Sequence, residues 1–311
     1  MLIVTGGAGF IGSNVVKELN RRGRTDILVV DNLERAEKFR NLSDLVIQDY
    51  LDKRDFRARL EAGRFDPKVD AIIHNGACSD TMGGDGRYML ENNFGDSKAV
   101  LHYALANHIP LVYASSAATY GGSPSFVPVP ANERPLNVYG YSKLLFDQYV
   151  RHLLPDIRST VVGLRYFNVY GPREQHKGRM MSVLHQLLRQ LHEQGVCRLF
   201  TGTDGYGDGE QVRDFVFVGD IVDISLQFVE GPATQGIFNA GTGQARSFNA
   251  IAQTLIQHLG KGRIDYIPFP EELRGKYQSF TQADLTSLRA AGYTRAFTAL
   301  EDGIRQTLAE L

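Results

Sequence analysis

A glycine-rich turn placed directly after an apolar run constrains this chain more than any other feature. Leu2-Ile3-Val4 reads as a buried strand, Thr5-Gly6-Gly7-Ala8-Gly9-Phe10-Ile11-Gly12 follows it, and Asn14 to Arg22 reads as an amphipathic helix. The turn carries two overlapping glycine spacings, Gly7-x-Gly9-x-x-Gly12 and Gly6-x-x-Gly9-x-x-Gly12. Between a strand and a helix, such glycines let the backbone turn tightly and approach a pyrophosphate. The free N–H groups of the helix N-terminus then face the anion. A plain structural turn is the alternative.

Short β-branched runs alternate with helical patterns beyond it. Ile27-Leu28-Val29-Val30-Asp31, Leu45-Val46-Ile47, Ala71-Ile72-Ile73-His74, Leu111-Val112-Tyr113-Ala114-Ser115 and Thr160 to Tyr166 read as strands. Glu91 to Asn107 and Tyr139 to Leu154 read as helices, the second stopped near Pro155. The alternation predicts an α/β fold with a doubly wound parallel sheet of the Rossmann kind. After Asn168 the rhythm breaks. Lys177 to Glu193 looks helical, Thr201 to Glu210 is a loop rich in Gly and Asp, and Asp214 to Val218 and Ile237-Phe238-Asn239 look like strands. The expected division is a dinucleotide-binding domain at 1–167, joined by about 214–241. A smaller α/β substrate-binding region at 168–213 and 242–311 then caps the crevice beyond the strand ends.

Bulk properties narrow the class. The 311 residues are 43% apolar and 22% charged with a net charge of −1. That suits a soluble enzyme and argues against charge-driven binding to nucleic acid or to a membrane surface. Two cysteines, Cys78 and Cys197, are too few for a disulfide framework and fit a reducing compartment. Residues 2–5 already read as strand, which leaves no room for a signal peptide. No apolar run reaches the roughly 18 residues of a membrane helix. A cytoplasmic protein without a metal is expected.

Asp31 ends the second strand, 19 residues after Gly12. An acid there accepts the adenosine ribose hydroxyls and favours NAD. Arg35, Lys38 and Arg40, with Lys53 and Arg54 later, either neutralise a 2′-phosphate, favouring NADP, or form a solvated basic face. The residues alone leave NAD and NADP open. Asp49 follows the third strand, within reach of an adenine. Asn75-Gly76-Ala77-Cys78 follows the fourth, where small residues let a cofactor pass. Asn92 is a cofactor contact, a helix cap or a buried polar anchor.

Tyr139 and Lys143 stand four apart, which on a helix places a phenol and an ammonium on one face. A free tyrosine, with a pKa of roughly 10, is too weak an acid to serve as a base at neutral pH. The ammonium and the positive ring of an oxidised nicotinamide both favour the phenolate. Tyr139 can then take a hydroxyl proton while hydride leaves the same carbon. Ser116, in Ser115-Ser116-Ala117-Ala118-Thr119-Tyr120-Gly121, ends a strand and can hydrogen-bond the reacting oxygen. A core or interface tyrosine is the bland alternative.

The glycine turn, Ser116, Tyr139-x-x-x-Lys143 and Arg165-Tyr166-Phe167-Asn168-Val169-Tyr170-Gly171-Pro172 resemble the extended short-chain dehydrogenases/reductases that act on nucleotide sugars. The resemblance covers almost the whole chain. Four stretches resemble, more narrowly, the ADP-L-glycero-D-manno-heptose 6-epimerase family. They are Gly171-Pro172-Arg173-Glu174-Gln175-His176-Lys177-Gly178, Val212-Arg213-Asp214-Phe215-Val216, Tyr266-Ile267-Pro268-Phe269-Pro270 and Tyr277-Gln278-Ser279-Phe280-Thr281-Gln282-Ala283-Asp284-Leu285.

That resemblance implies an isomerase converting ADP-D-glycero-β-D-manno-heptose to the L-glycero form at carbon 6, for the inner core of lipopolysaccharide. It implies transient oxidation with a tightly bound nicotinamide, usually NADP, and a homo-oligomer, often a pentamer. Phe10, Ile11, Asp31, Asn32, Lys38 and Lys53 match cofactor contacts beside Gly6, Gly9 and Gly12. So do Asn75, Gly76, Ala77, Cys78, Ser79, Asn92, Lys143, Val169 and Lys177. Tyr139 and Lys177 match two proton-transfer groups, since one base cannot easily serve two orientations of the oxygen. Lys177 is otherwise a surface lysine or a phosphate contact. Asn168, Phe200, Arg213 and Tyr277 match substrate contacts, and the Arg213 guanidinium suits a diphosphate. Ser116, Arg179, Gln186, Thr201, Gly202 and Thr203 complete the expected substrate set.

The chain departs from that family in places. Asn75 stands where a Glu is frequent, Arg179 where a small serine is, and Gln186 where a histidine is expected. His185, one position off, points about 100° away on a helix. Thr203 to Gln211 is longer than usual. A UDP-hexose 4-epimerase is the nearest rival, and the Lys177 segment argues against it. A dehydratase would need an acid–base pair where Ala117-Ala118 stands. A non-catalytic dinucleotide sensor has no need of Ser116, Tyr139 and Lys143 together.

Overall fold

The computed structural model describes residues 1–63, 65, 68–271 and 278–311. Its strands are β1 (Leu2–Thr5), β2 (Ile27–Asp31), β3 (Asp49–Asp52), β4 (Ala71–His74), β5 (Leu111–Ser116) and β6 (Val161–Tyr166). They continue as β7 (Asn168–Tyr170), β8 (Val196–Phe200), β9 (Val212–Phe217), β10 (Gln235–Ala240), β11 (Ala245–Ser247) and β12 (Arg263–Ile267). Seven of them form one sheet in the order β10-β6-β5-β4-β1-β2-β3, with every pairing parallel. Strands buried on both faces need continuous apolar runs, which explains Ile27 to Val30 and Ala71 to Ile73. The winding reverses between β1 and β4, and open sheets bind ligands at such a point beyond the strand ends. β11-β9-β7 and β12-β8 form two small sheets beside it.

The helices are α1 (Phe10–Arg21), α2 (Lys53–Glu61), α3 (Gly86–Leu90), α4 (Asp96–Ala106) and α5 (Val138–Leu153). They continue as α6 (Val183–Gln194), α7 (Val218–Glu230), α8 (Phe248–Leu259), α9 (Thr286–Ala290) and α10 (Leu300–Ala309). Val100 and Leu101 of α4 and Phe146 and Val150 of α5 pack on one face of the main sheet. Val15, Val16 and Leu19 of α1 and Val222 and Leu226 of α7 pack on the other. Leu184, Leu188 and Leu191 of α6 join Leu255 of α8 and Phe217 of β9 in a separate core.

Three elements differ from expectation. The third strand is Asp49–Asp52, not Leu45 to Ile47, because the ladder to β2 begins at Leu28 and Asp49. Asp49 is therefore an exposed first residue of that strand and takes no part in the cavity described below. The helix expected from Glu91 opens with a π turn at Glu91–Gly95. There the inward Asn93 bonds the Cys78 backbone in both directions (2.7 and 2.9 Å) and the Ser142 hydroxyl (2.9 Å). Such turns mark helices bent to place a side chain. The helix expected from Lys177 is split: a 3-10 turn at Gln175–Met180 precedes α6, with Gly178 at φ 55°, ψ −124° between helical neighbours.

Candidate active site

β5 delivers Ser116 and α5 delivers Tyr139 and Lys143 to the same place. The Asn137 side chain caps α5 by accepting from the Gly140 N–H at 2.8 Å. The Ser116 and Tyr139 hydroxyls are hydrogen-bonded, and Ser116 Oγ also accepts from the Ala118 N–H at 3.1 Å. Lys143 is buried and donates to the Ala114 carbonyl at 2.8 Å. Burial lowers Lys143 to about 8, and the Asp147 carboxylate one turn on opposes that shift. Tyr139 moves opposite to expectation. Burial raises its phenol above the ordinary value, and the Ser116 hydrogen bond resists the rise. A buried phenolate loses its hydration, and Lys143 directs its ammonium at a β5 carbonyl.

A buried polar network locks α5 to the sheet. Asp147 accepts from the Tyr113 hydroxyl (3.0 Å), the Ser115 hydroxyl (2.8 Å) and Arg165 Nε (2.9 Å). Arg165, fully buried in β6, also pairs with Glu133, which Arg151 of α5 holds at 2.6 Å. Sequence reasoning gave these residues no task. Asp147 lies four beyond Lys143, on the same helix face, and Arg165 interrupts an otherwise apolar strand; both were usable signals.

From Gly171 to Ser182 the chain is held by side chains instead. The Asn41 amide donates to the carbonyls of Ala8 (3.1 Å) and Arg173 (3.0 Å), and Arg173 donates back to the Asn41 carbonyl at 2.7 Å. Arg173 sits at φ 75°, a left-handed conformation that these contacts maintain. Arg35 donates to the His176 carbonyl at 3.0 Å. Burial lowers His176 to about 4, with Lys38 and Lys177 adding to the shift. Lys177 Nζ lies 5.0 Å from the centre of the Phe10 ring and 3.3 Å from Glu174 Oε2. Arg179 reaches Asp80 at 2.8 Å from the far side of the cavity mouth.

These parts surround one cavity of about 1010 Å³. Gly6, Gly9, Phe10, Ile11 and Gly12 line it, as do Asp31, Asn32, Lys38 and Lys53. Asn75, Gly76, Ala77, Cys78, Ser79 and Asn92 form a second wall. Ser116, Tyr139, Lys143, Asn168, Val169, Lys177 and Arg179 form a third. Other expected residues stand outside the lining. The Gln186 amide donates to the Met181 carbonyl at 2.8 Å. Phe200 packs on Phe269, and Thr201, Gly202 and Thr203 follow it away from the cavity. The Arg213 guanidinium lies 5.7 Å from the Phe248 ring centre, and that ring does line the cavity. Tyr277 lies outside the described residues.

The cavity fits a nicotinamide dinucleotide. A β-carbon at Gly12 would stand 2.2 Å from the Gly6 carbonyl oxygen, so only glycine permits this turn. No side chain caps the first turn of α1, which leaves its N–H groups facing the cavity for an anion. The Asn75 amide nitrogen is buried with no partner among the described residues, while its Oδ1 accepts from the Tyr166 hydroxyl at 3.0 Å. A buried donor of this kind calls for an acceptor.

The family model for the NAD dependent epimerase/dehydratase family matches residues 2–241. The chain is 60% identical over 308 residues to the ADP-L-glycero-D-manno-heptose-6-epimerase of Alkalilimnicola ehrlichii, spanning 99% of this chain and 96% of that one. Among solved structures, the ADP-L-glycero-D-manno-heptose-6-epimerase of Helicobacter pylori matches with a TM-score of 0.84 at 31% identity, covering 99% of this chain and 95% of that one. A Thermus thermophilus UDP-glucose 4-epimerase in complex with NAD matches with a TM-score of 0.77 at 28% identity, covering 99% and 98%. Sheet order, glycine turn and sequence identity agree: the chain belongs to the NAD dependent epimerase/dehydratase family, among its ADP-L-glycero-D-manno-heptose-6-epimerases.

Proposed function

We propose that this chain inverts carbon 6 of ADP-D-glycero-β-D-manno-heptose to the L-glycero epimer, with NADP as its resident cofactor, in cytoplasmic synthesis of the lipopolysaccharide inner-core heptose. One observation carries the mechanism. Two side chains able to carry a proton, Tyr139 of α5 and Lys177 of the loop before α6, line the cavity that the glycine turn also lines.

Inverting a carbinol carbon means removing its hydrogen and returning it to the opposite face. When bound, the nicotinamide supplies the hydride acceptor and then the donor. The chain manages the oxygen and its proton. Ser116 holds the reacting oxygen, and Tyr139 takes or returns the proton in one orientation of the sugar. Lys177 does the same for the other orientation, from a separate element that lines the same cavity. Lys143, which keeps its proton below about pH 8, places positive charge near the phenol.

Gly6, Gly9 and Gly12 give the pyrophosphate its close backbone approach, and Asn75 offers its unpartnered N–H. NADP is favoured over NAD by the state of Asp31. Its carboxylate already accepts from the N–H groups of Ala8 (2.9 Å) and Asn32 (2.7 Å) and from Lys38. Ribose hydroxyls therefore meet an occupied acceptor, while Lys38, Lys53 and Arg35 offer cations to a 2′-phosphate. In this reading residues 1–167 and about 214–241 hold the dinucleotide, and 168–213 with 242–311 hold the sugar. Arg179 lies at the mouth of the sugar site.

The test is incubation of purified protein with ADP-D-glycero-D-manno-heptose without added cofactor, followed by chromatographic separation of the epimers. The L-glycero form is expected, and it should vanish in Tyr139→Phe and Lys177→Met. No conversion even with NADP or NAD supplied would sink the heptose reading and turn attention to UDP-hexoses.

A further inference from the structure

Glu174 has no part in the chemistry above, yet its side chain is 0% exposed directly beneath the loop that carries Lys177. Four groups face its carboxylate. Oε2 accepts from the Ser182 N–H at 2.8 Å and lies 3.3 Å from Lys177 Nζ. Oε1 accepts from the Ser182 hydroxyl at 2.6 Å and lies 3.6 Å from His185 Nε2. That imidazole nitrogen is already 2.7 Å from the Gly171 carbonyl, so His185 has a neutral partner of its own. A buried carboxylate needs a cation, and the Lys177 ammonium lies within reach of this one.

We propose that Glu174 is the positioning residue for Lys177, resting on the assignment of Lys177 as the second proton-transfer group. A lysine side chain is long and freely rotating, and an ammonium that must meet one oxygen has to be held. Here the Glu174 carboxylate bounds it on one side and the Phe10 ring on the other. Phe10 opens α1 straight after the glycine turn, so the ammonium is indexed to the cofactor cradle. Lys177 itself is 23% exposed and open to the cavity, whereas Glu174 is sealed from it. Glu174 thus acts through Lys177 and touches no reacting atom.

The same carboxylate also brackets the loop. Ser182 makes no side-chain cap at the start of α6; its hydroxyl donates to Glu174 instead, and the carboxylate takes the N-terminal N–H. A bracket alone would affect stability and both directions of reaction alike. Positioning of Lys177 would affect only the direction in which Lys177 handles the proton.

The experiment mixes holoenzyme with each epimer separately and follows the absorbance of reduced nicotinamide in a single turnover, alongside thermal melting. Glu174→Gln should slow reduction by one epimer roughly 10- to 100-fold and leave the other, and both KM values, within about twofold. Lys177→Met should slow the same epimer, and Tyr139→Phe the opposite one. Glu174→Asp, which keeps the charge, should recover part of the rate; it also carries the test should Glu174→Gln not fold. Ser182→Ala should lower the melting temperature without epimer selectivity. Equal slowing of both epimers, no slowing, or slowing of the epimer sensitive to Tyr139→Phe would overturn the proposal while the epimerase reading stands. Wild-type protein that reduces its nicotinamide with neither epimer would instead sink the reading itself.

Discussion

Helix α5 and the loop between Gly171 and Ser182 each present one proposed proton-transfer group to the cavity, and they are built by opposite means. Tyr139 rides in the first turn of a sixteen-residue helix. A capped N-terminus, the helical period and the Asp147–Arg165–Glu133 network beneath it set its place. Lys177 rides on a single 3-10 turn interrupted by a left-handed glycine. Separate side-chain contacts hold that loop, among them those of Asn41, Arg35, Glu174 and Asp80. The difference teaches how two groups can serve two substrate orientations. One is rigid with the cofactor sheet; the other is placed by contacts that can be removed singly.

The comparison can be broken at four points. The largest effect is expected on the helix side. Tyr139→Phe deletes the phenol and keeps the packing, so turnover should fall about 10²- to 10⁴-fold with an unchanged melting temperature. Retention of near-full turnover would remove Tyr139 from the chemistry. Arg165→Met should cost about 3–5 kcal/mol in urea unfolding, because Asp147 is left buried without its cation while Glu133 keeps only Arg151. Asn41→Ala, on the loop side, should cost only about 1 kcal/mol yet lower turnover through Lys177. If Asn41→Ala proves the more destabilising of the two, the contrast fails.

The third point is pH. His74, between Thr5 Oγ1 (2.6 Å) and Ser97 Oγ (2.9 Å), is lowered to about 3 by burial, with Lys143 adding to the shift. In the folded protein it stays neutral where the unfolded chain, at 6.5, takes up a proton. The unfolded state therefore binds more protons between these values, and stability rises with pH across them. Stability from this group is complete above about pH 6.5 and drains away as pH falls toward about 3, by up to a few kcal/mol. His74→Gln should flatten that acid slope in urea titrations, and an unchanged slope would assign the acid sensitivity elsewhere. The smallest effect is Arg179→Ser. Its exposed pair with Asp80 is worth about 0–1 kcal/mol, so melting should barely move while KM for the sugar nucleotide changes a few-fold.

Much of the sheet could be read from the chain, since apolar runs of strand length between glycine and helix signals have few other uses. The cavity walls from Gly6 to Gly12 and from Asn75 to Ser79 were readable for the same reason. The third strand was misplaced because Leu45, Val46 and Ile47 are more β-prone than Asp49 to Asp52, and only the ladder with β2 overrides that preference. Asn93 was missed beside Asn92 because nothing in a helical pattern announces a π turn. Glu174 was quoted within a motif and given no task, because its partners at Lys177, Ser182 and His185 are defined by how the loop folds back.

Two things were settled by the sequence alone. The glycine turn can close only without side chains, and Tyr139 and Lys143 share a face because helical period is a local property of the backbone. Tertiary structure decided the rest. It brought Lys177 across to the glycine turn, pointed Lys143 at a carbonyl, and raised the Tyr139 phenol where the ammonium was expected to lower it. Spacing acts through a few bonds and is written in order along the chain. Burial and charge pairing act through space, and they exist only once distant segments have met.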